Sequence, residues 1–143
     1  MQTTYNVSDT AVWAITMDDK KYFTVEEANR LIPQMKTMIE RLRQGRRRMQ
    51  AHRPTAEAIA QKAGGNGGGG EAGTYLSDYS QTIARDLAQL QAMGILLKDL
   101  ERGLIDFPHR REGREVYLCW KYGEERIDYW HETDAGYGGR QPL

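Results

Sequence analysis

Residues 74–104, TYLSDYSQTIARDLAQLQAMGILLKDLERGL, hold the reading on which the fold turns. Leu76, Ile83, Leu90, Leu97 and Leu104 recur every seven positions; Tyr79, Met93 and Leu100 follow members of that series by three, and Leu87 widens the stripe. Such a repeat is the seam of a coiled coil. It predicts a helix from about Thr74 to Arg102, with Gly103 as its C-terminal stop. At 1.5 Å per residue that helix is roughly 40 Å long, too long for a compact body of 16.4 kDa. The expectation is a homodimer, with a second copy covering the helices.

Upstream, Thr24-Val25-Glu26-Glu27 has the spacing of a capping box, in which Thr and Glu satisfy each other's backbone donors. Ala28, Leu31, Ile32, Met35, Met38, Ile39 and Leu42 then fall on one helical face. Pro33 lacks an amide donor, so a break or kink is expected there. The pattern weakens through Met49, Ala56, Ile59 and Ala60 and fades near Ala63. Six glycines among residues 64–70 follow. No Gly-Lys-Ser/Thr accompanies them, so a phosphate loop is not indicated, and residues 64–73 read as a flexible connector closing a helical hairpin.

Downstream of Gly103, Ile105-Asp106-Phe107-Pro108 reads as a turn and residues 109–113 as a polar loop. Residues 115–122 alternate, with Val116, Leu118, Trp120 and Tyr122 on one face. Residues 127–132 alternate again beyond a turn at 123–126, which predicts a β-hairpin. The fold class expected is α+β, mainly α: a long antiparallel helical hairpin with a small C-terminal β-hairpin, joined by an N-terminal strand if Val12-Trp13-Ala14-Ile15 forms one. Residues 1–22 read as an arm and 23–143 as one domain.

Twenty basic and twenty acidic side chains cancel, so the chain as a whole has no general attraction for nucleic acid or anionic lipid. The single cysteine, Cys119, excludes an internal disulfide and a multi-cysteine zinc knuckle. No apolar run approaches the roughly 18 residues of a membrane span. No secretory signal is visible, and a cytoplasmic location is expected.

Polar residues on apolar faces nominate sites. Folding the hairpin about residues 68–69 sets Asp86 against His52 and Arg53, and Glu101 against Lys36, as sign-matched pairs that fix register. The cluster Arg41, Arg43, Arg46, Arg47, Arg48 and Arg53 offers a phosphate-neutralising surface. It lacks interleaved aromatics, so nucleic-acid binding is an alternative and not the leading reading. Near the C-terminus, Asp106, His109, His131, Glu132 and Asp134 gather the metal-ligating and acid–base groups. Strand alternation puts His131 with Tyr129 on one face and Glu132 with Trp130 on the other. The candidate ligand-binding set is Glu101, Asp106, His131, Glu132 and Arg140. Within it, His131, Glu132 and Asp106 are the candidate metal ligands, and a divalent metal is the cofactor such a set would hold. The leading functional reading is a self-associating module with a polar ligand- or partner-binding site near this motif; a small metal-dependent enzyme is the alternative. Cys119 alternates away from Leu118 and Trp120 and reads as a buried small residue. Arg140, behind Gly138 and Gly139, is expected to pair with Glu132 or Asp106.

The stretches Phe23-Thr24-Val25-Glu26-Glu27-Ala28-Asn29-Arg30-Leu31-Ile32-Pro33, Gly94-Ile95-Leu96-Leu97-Lys98-Asp99-Leu100 and Gly103-Leu104-Ile105-Asp106-Phe107-Pro108 carry a resemblance. It continues in Gly113-Arg114-Glu115-Val116, Leu118-Cys119-Trp120 and Trp130-His131-Glu132-x-Asp134-Ala135-Gly136-Tyr137 through Leu143. With these, the chain resembles the bacterial family named domain of unknown function 2203 over residues 22–143. The resemblance implies an ordered C-terminal tail and brings no activity with it.

Overall fold

The computed structural model describes residues 20–66 and 70–143, with side chains described at 20–51 and 78–143. The Val12–Ile15 strand and the partners His52 and Arg53 fall outside these residues. Helix α1 runs Val25–Asn66 and α2 runs Gly70–Met93. Strands β1 Leu96–Asp99, β2 Leu104–Arg111, β3 Arg114–Lys121, β4 Tyr129–Glu132 and β5 Gln141–Pro142 form one antiparallel sheet in sequential order. A single 3₁₀ turn, Tyr137–Gly139, precedes β5.

This architecture corrects the expected helical hairpin with a small β-hairpin. It comprises one long helix, a shorter second helix and a five-stranded sheet. The second helix does not reach Arg102. It stops at Met93 because Gly94 adopts a left-handed conformation, φ 81°. Gly94 N donates to Gln91 O and Ile95 N to Leu90 O, both at 3.0 Å, the paired bonds of a Schellman stop. Leu90 and Ile95 both enter the core, which supplies the apolar contact that accompanies this motif. Leu97 therefore lies on a strand, Leu100 in a turn and Leu104 at the start of β2, so the seven-residue repeat does not run along one helix.

The segment read as turn and loop is also strand: β2 covers Leu104–Arg111 despite Pro108. The Pro108 carbonyl accepts Phe23 N at 2.7 Å. In a strand a residue's N–H and C=O point the same way, so the donor missing at Pro108 faces the Phe23 flank and spares the β3 ladder. Strands β2 and β3 pair over eight residues each, Leu104↔Lys121 through Arg111↔Arg114. Glu112 and Gly113, both at positive φ, join them in a two-residue turn.

Helix α1 opens as its sequence indicates: Thr24 N donates to Glu27 Oε1 at 2.9 Å and Glu27 N to Thr24 Oγ1 at 3.0 Å. The expected break at Pro33 is absent; the helix is continuous through it, and Pro33 sits on the exposed face, away from the core. Ala28, Ile32, Met35, Ile39 and Leu42 pack on the sheet face formed by Ile105, Phe107, Val116, Leu118, Trp120 and Trp130. Each large side chain buried there contributes about 1.5–3 kcal/mol.

Helix α2 meets α1 near Gly45, where a side chain would press on Ile83 at 3.4 Å. Asp86 is buried, and Arg41 holds it through Nε–Oδ2 at 2.7 Å and Nη2–Oδ1 at 2.8 Å. Arg41 thus stands where the His52–Arg53 region was expected, and the side chains of those two residues lie outside the described ones. Glu101, in the β1–β2 turn and not on a helix, faces Arg46 at 3.8 Å in place of Lys36. The Arg41–Asp86 pair is asymmetric: 47% of the arginine side chain is exposed against 4% of the aspartate. Arg41→Ala is expected to cost about 2 kcal/mol by stranding a buried carboxylate. Asp86→Ala leaves a solvated guanidinium and should cost less than about 1 kcal/mol. Urea unfolding of the two variants checks the order.

Candidate functional site

Alternation along β2, β3 and β4 divides the sheet. Ile105, Phe107, Leu118, Trp120 and Trp130 face the helices, so Asp106, Cys119 and His131 face the other way. Register brings them together: Asp106 is opposite Cys119, and Cys119 is opposite Tyr129, two residues from His131. A sheet face turned away from the helices would ordinarily be wet, yet these three residues are 2%, 1% and 2% exposed. One donor atom from each lies within 4.8 Å of the others.

The imidazole fixes the proton arrangement. His131 Nδ1 lies 2.7 Å from the backbone carbonyl of Glu132, which can only accept, so Nδ1 carries a hydrogen. Nε2 lies 3.1 Å from both oxygens of Asp106. One proton must lie between Nε2 and the carboxyl group, whichever of them owns it. Burial raises the Asp106 carboxyl above the usual carboxylate range, and His131 opposes that shift. Burial, with Asp106 adding to it, pushes the Cys119 thiol up to about 12. As a protonated buried thiol, Cys119 is no nucleophile.

The C-terminal tail roofs the cluster. Arg140 Nη2 donates to both carboxylate oxygens of Glu124, at 2.9 and 2.7 Å. Its guanidinium lies 4.1 Å from the Tyr129 ring centroid and 4.7 Å from that of Tyr137. Arg102 and Lys121 approach Tyr137 from the β1–β2 turn and the end of β3, at 4.8 and 5.6 Å. Arg140 is near enough to Cys119 to act on the thiol's ionisation, while Arg140 Nε is buried without a hydrogen-bond partner. Tyr117 closes the opposite side, edge-on to His131 at 5.7 Å.

Of the residues nominated from sequence, Asp106 and His131 converge. Glu132 projects to the opposite face, where Arg114 binds its carboxylate through Nε at 3.1 Å and through Nη2; only its backbone carbonyl touches the site. Glu101 is exposed beside Arg46. Arg140 stands at the roof, with Glu124 as partner and not Glu132 or Asp106. Asp134 is exposed, and His109 Nδ1 meets the Phe23 carbonyl at 2.7 Å. Four arginines of the basic stretch have partners: Arg41 holds Asp86, Arg46 faces the exposed Glu101, Arg43 lies over Tyr122 at 4.9 Å and Arg48 binds Tyr79 at 2.7 Å. Cys119 is buried on the face away from Leu118 and Trp120, as its alternation indicates, but sequence reading did not assign it to the site. Once β2 is taken as a strand, Asp106 acquires a face and Cys119 shares it.

Thiol, imidazole and carboxyl together form a donor set suited to zinc and related divalent ions. A carbonyl fixing the far imidazole nitrogen is the usual outer support of a metal-bound histidine. Among the described residues no helix is long and apolar enough to cross a membrane. No curated protein and no solved structure matches the chain. A family model described as an uncharacterised conserved protein, DUF2203, matches residues 21–143. Spanning the sheet, the buried cluster and its roof, that match places the chain in the DUF2203 family.

Proposed function

We propose that the protein binds a divalent transition-metal ion of the zinc type through Asp106, Cys119 and His131. The observation that carries this reading is the convergence of three different donor atoms from three adjacent strands, within 4.8 Å and out of solvent, around an imidazole already oriented by the Glu132 carbonyl. Zinc contacts of about 2.0–2.3 Å to nitrogen, oxygen and sulfur require the donors to spread only slightly from the 3.1 Å His131–Asp106 contact. Three protein donors leave a fourth position for water or a small ligand.

Metal binding is coupled to proton release because the bound donors must be deprotonated. Cys119 gives up its thiol proton, and the proton between His131 and Asp106 also leaves, whereas Nδ1 keeps its hydrogen on the Glu132 carbonyl. Zinc titration calorimetry near neutral pH, repeated in buffers of different ionisation enthalpy, should report one site and about two protons released per ion. Absence of stoichiometric uptake would contradict the proposal. It would favour a second reading, in which the His131–Asp106 bonds are a self-satisfied structural network.

Self-association is the remaining part of the proposal. It rests on α1, which at 42 residues is about 63 Å long and extends well past Leu42, its last core position among the described residues. Sedimentation equilibrium should show a dimer; a monomer at high concentration would contradict it.

A further inference from the structure

A cleft of about 570 Å³ lies between the last turns of α2, strand β1 and the segment at Lys20–Lys21, within the size range of small-molecule sites. Leu87, Leu90, Ile95, Leu96 and Pro108 supply its apolar lining, and Leu87 at the rim is 40% exposed. Among the described residues, all charged side chains lining it are lysines: Lys20, Lys21 and Lys98. Lys98 Nζ stands 5.2 Å over the Tyr117 ring, and Lys20 lines the same cleft, so the cleft presents both ammonium groups. Lys20 also contacts Glu115, and Lys21 lies 3.4 Å from Glu27; neither carboxylate lines the cleft.

We infer that this cleft binds a small organic carboxylate with an apolar chain, its head at Lys20 and Lys98 and its chain along Leu87, Ile95 and Leu96. The charge of the lining selects an anion, and the apolar wall selects a hydrocarbon body. A phosphate head fits less well. Among the described residues no arginine lines the cleft to offer a bidentate fork. The helix end beside it is also the C-terminus of α2, whose dipole opposes a doubly charged anion. The cleft shares no lining residue with the buried donors Asp106, Cys119 and His131, although Lys98 is near enough to act on Asp106 and Tyr117 borders both; its binding does not require a metal.

Calorimetry of the full chain with sodium decanoate at low ionic strength should give saturable one-site binding with a Kd below about 1 mM, weakening with added salt. Decyltrimethylammonium should not bind, and decyl phosphate should bind no tighter than decanoate. Lys98→Gln should weaken decanoate binding about fivefold, and Leu87→Asp, at an exposed rim position, about tenfold. The inference is overturned by absence of saturable decanoate binding to the full chain. Equal binding of the cationic probe, clearly tighter binding of decyl phosphate, or indifference to both substitutions would also overturn it.

Discussion

In Cys119→Ser, zinc affinity is expected to fall by at least about a hundredfold while the sheet remains folded. Groups that only orient a ligand from behind are worth roughly 10–100-fold in metal affinity, and a thiolate ligand contributes more than such a group. The replacement is nearly isosteric, and the hydroxyl can still donate to Asp106 across the strand pair, so unfolding should not confound the result. Asp106→Asn provides a second arm. With Nδ1 hydrogen held by the Glu132 carbonyl, Nε2 of neutral His131 is an acceptor, and the new amide can donate to it as a protonated Asp106 would. Stability should therefore be retained while metal affinity drops by a similar factor. Glu101→Gln, on an exposed side chain near Arg46, should leave affinity unchanged. Competition titration against a chromophoric chelator, beside thermal unfolding of each variant, measures both quantities. Equal affinity in Cys119→Ser and the parent would remove Cys119 from the site.

The largest expected loss of stability is at Gly103. This residue turns the chain from β1 into β2 at φ 66°, and its carbonyl accepts Tyr122 N at 2.8 Å. An added Cβ would lie 2.4 Å from the Tyr122 Cβ and 3.4 Å from Ile39 Cγ2. The first contact is with an atom fixed to the backbone, so relief requires moving the strand end. Gly103→Ala combines left-handed strain of about 1–2 kcal/mol with overpacking of about 1–3 kcal/mol, for a total near 3 kcal/mol. Gly113, at φ 80° with nothing within 4 Å of its virtual Cβ, isolates the conformational part: Gly113→Ala should cost about 1–2 kcal/mol. Chemical denaturation of the pair gives both values, and equal costs would show that the Tyr122 contact relaxes freely.

Local chemistry was the readable part of this fold. The Thr24–Glu27 capping box and the apolar face from Ala28 to Leu42 form as their spacing dictates. So do the alternations of β3 and β4, including the opposition of His131 and Glu132. The misreading came from two places where a local stop competed with a longer pattern. Leucines at 90, 97 and 104 kept a seven-residue spacing across the end of α2. The decisive signal was Gly94 followed by Ile95, a left-handed glycine and an apolar residue that folds back on Leu90. Pro108 then suggested a turn, because whether a proline disrupts a strand depends on which flank its missing donor faces. That flank is set by Phe23, more than 80 residues away in the chain.

The candidate site was legible in proportion. Asp106 and His131 were identifiable as ligand-type residues, but their meeting depends on β2–β3–β4 register, which local sequence does not encode. Treating residues 105–108 as a turn deprived Asp106 of a face, and with it went the link to Cys119. The tail's role at the roof depends on Arg140 finding Glu124, a partner in a turn that composition alone marked only as polar.

Cobalt(II) substitution tests the metal-binding account most directly, since its absorption reports both coordination number and sulfur ligation. One equivalent of cobalt added to the full chain should produce intense visible bands of a four-coordinate ion and a near-ultraviolet sulfur-to-cobalt charge-transfer band, the latter lost in Cys119→Ser. Weak six-coordinate bands without the sulfur transition, or a spectrum identical in parent and Cys119→Ser, would contradict a metal held by Asp106, Cys119 and His131.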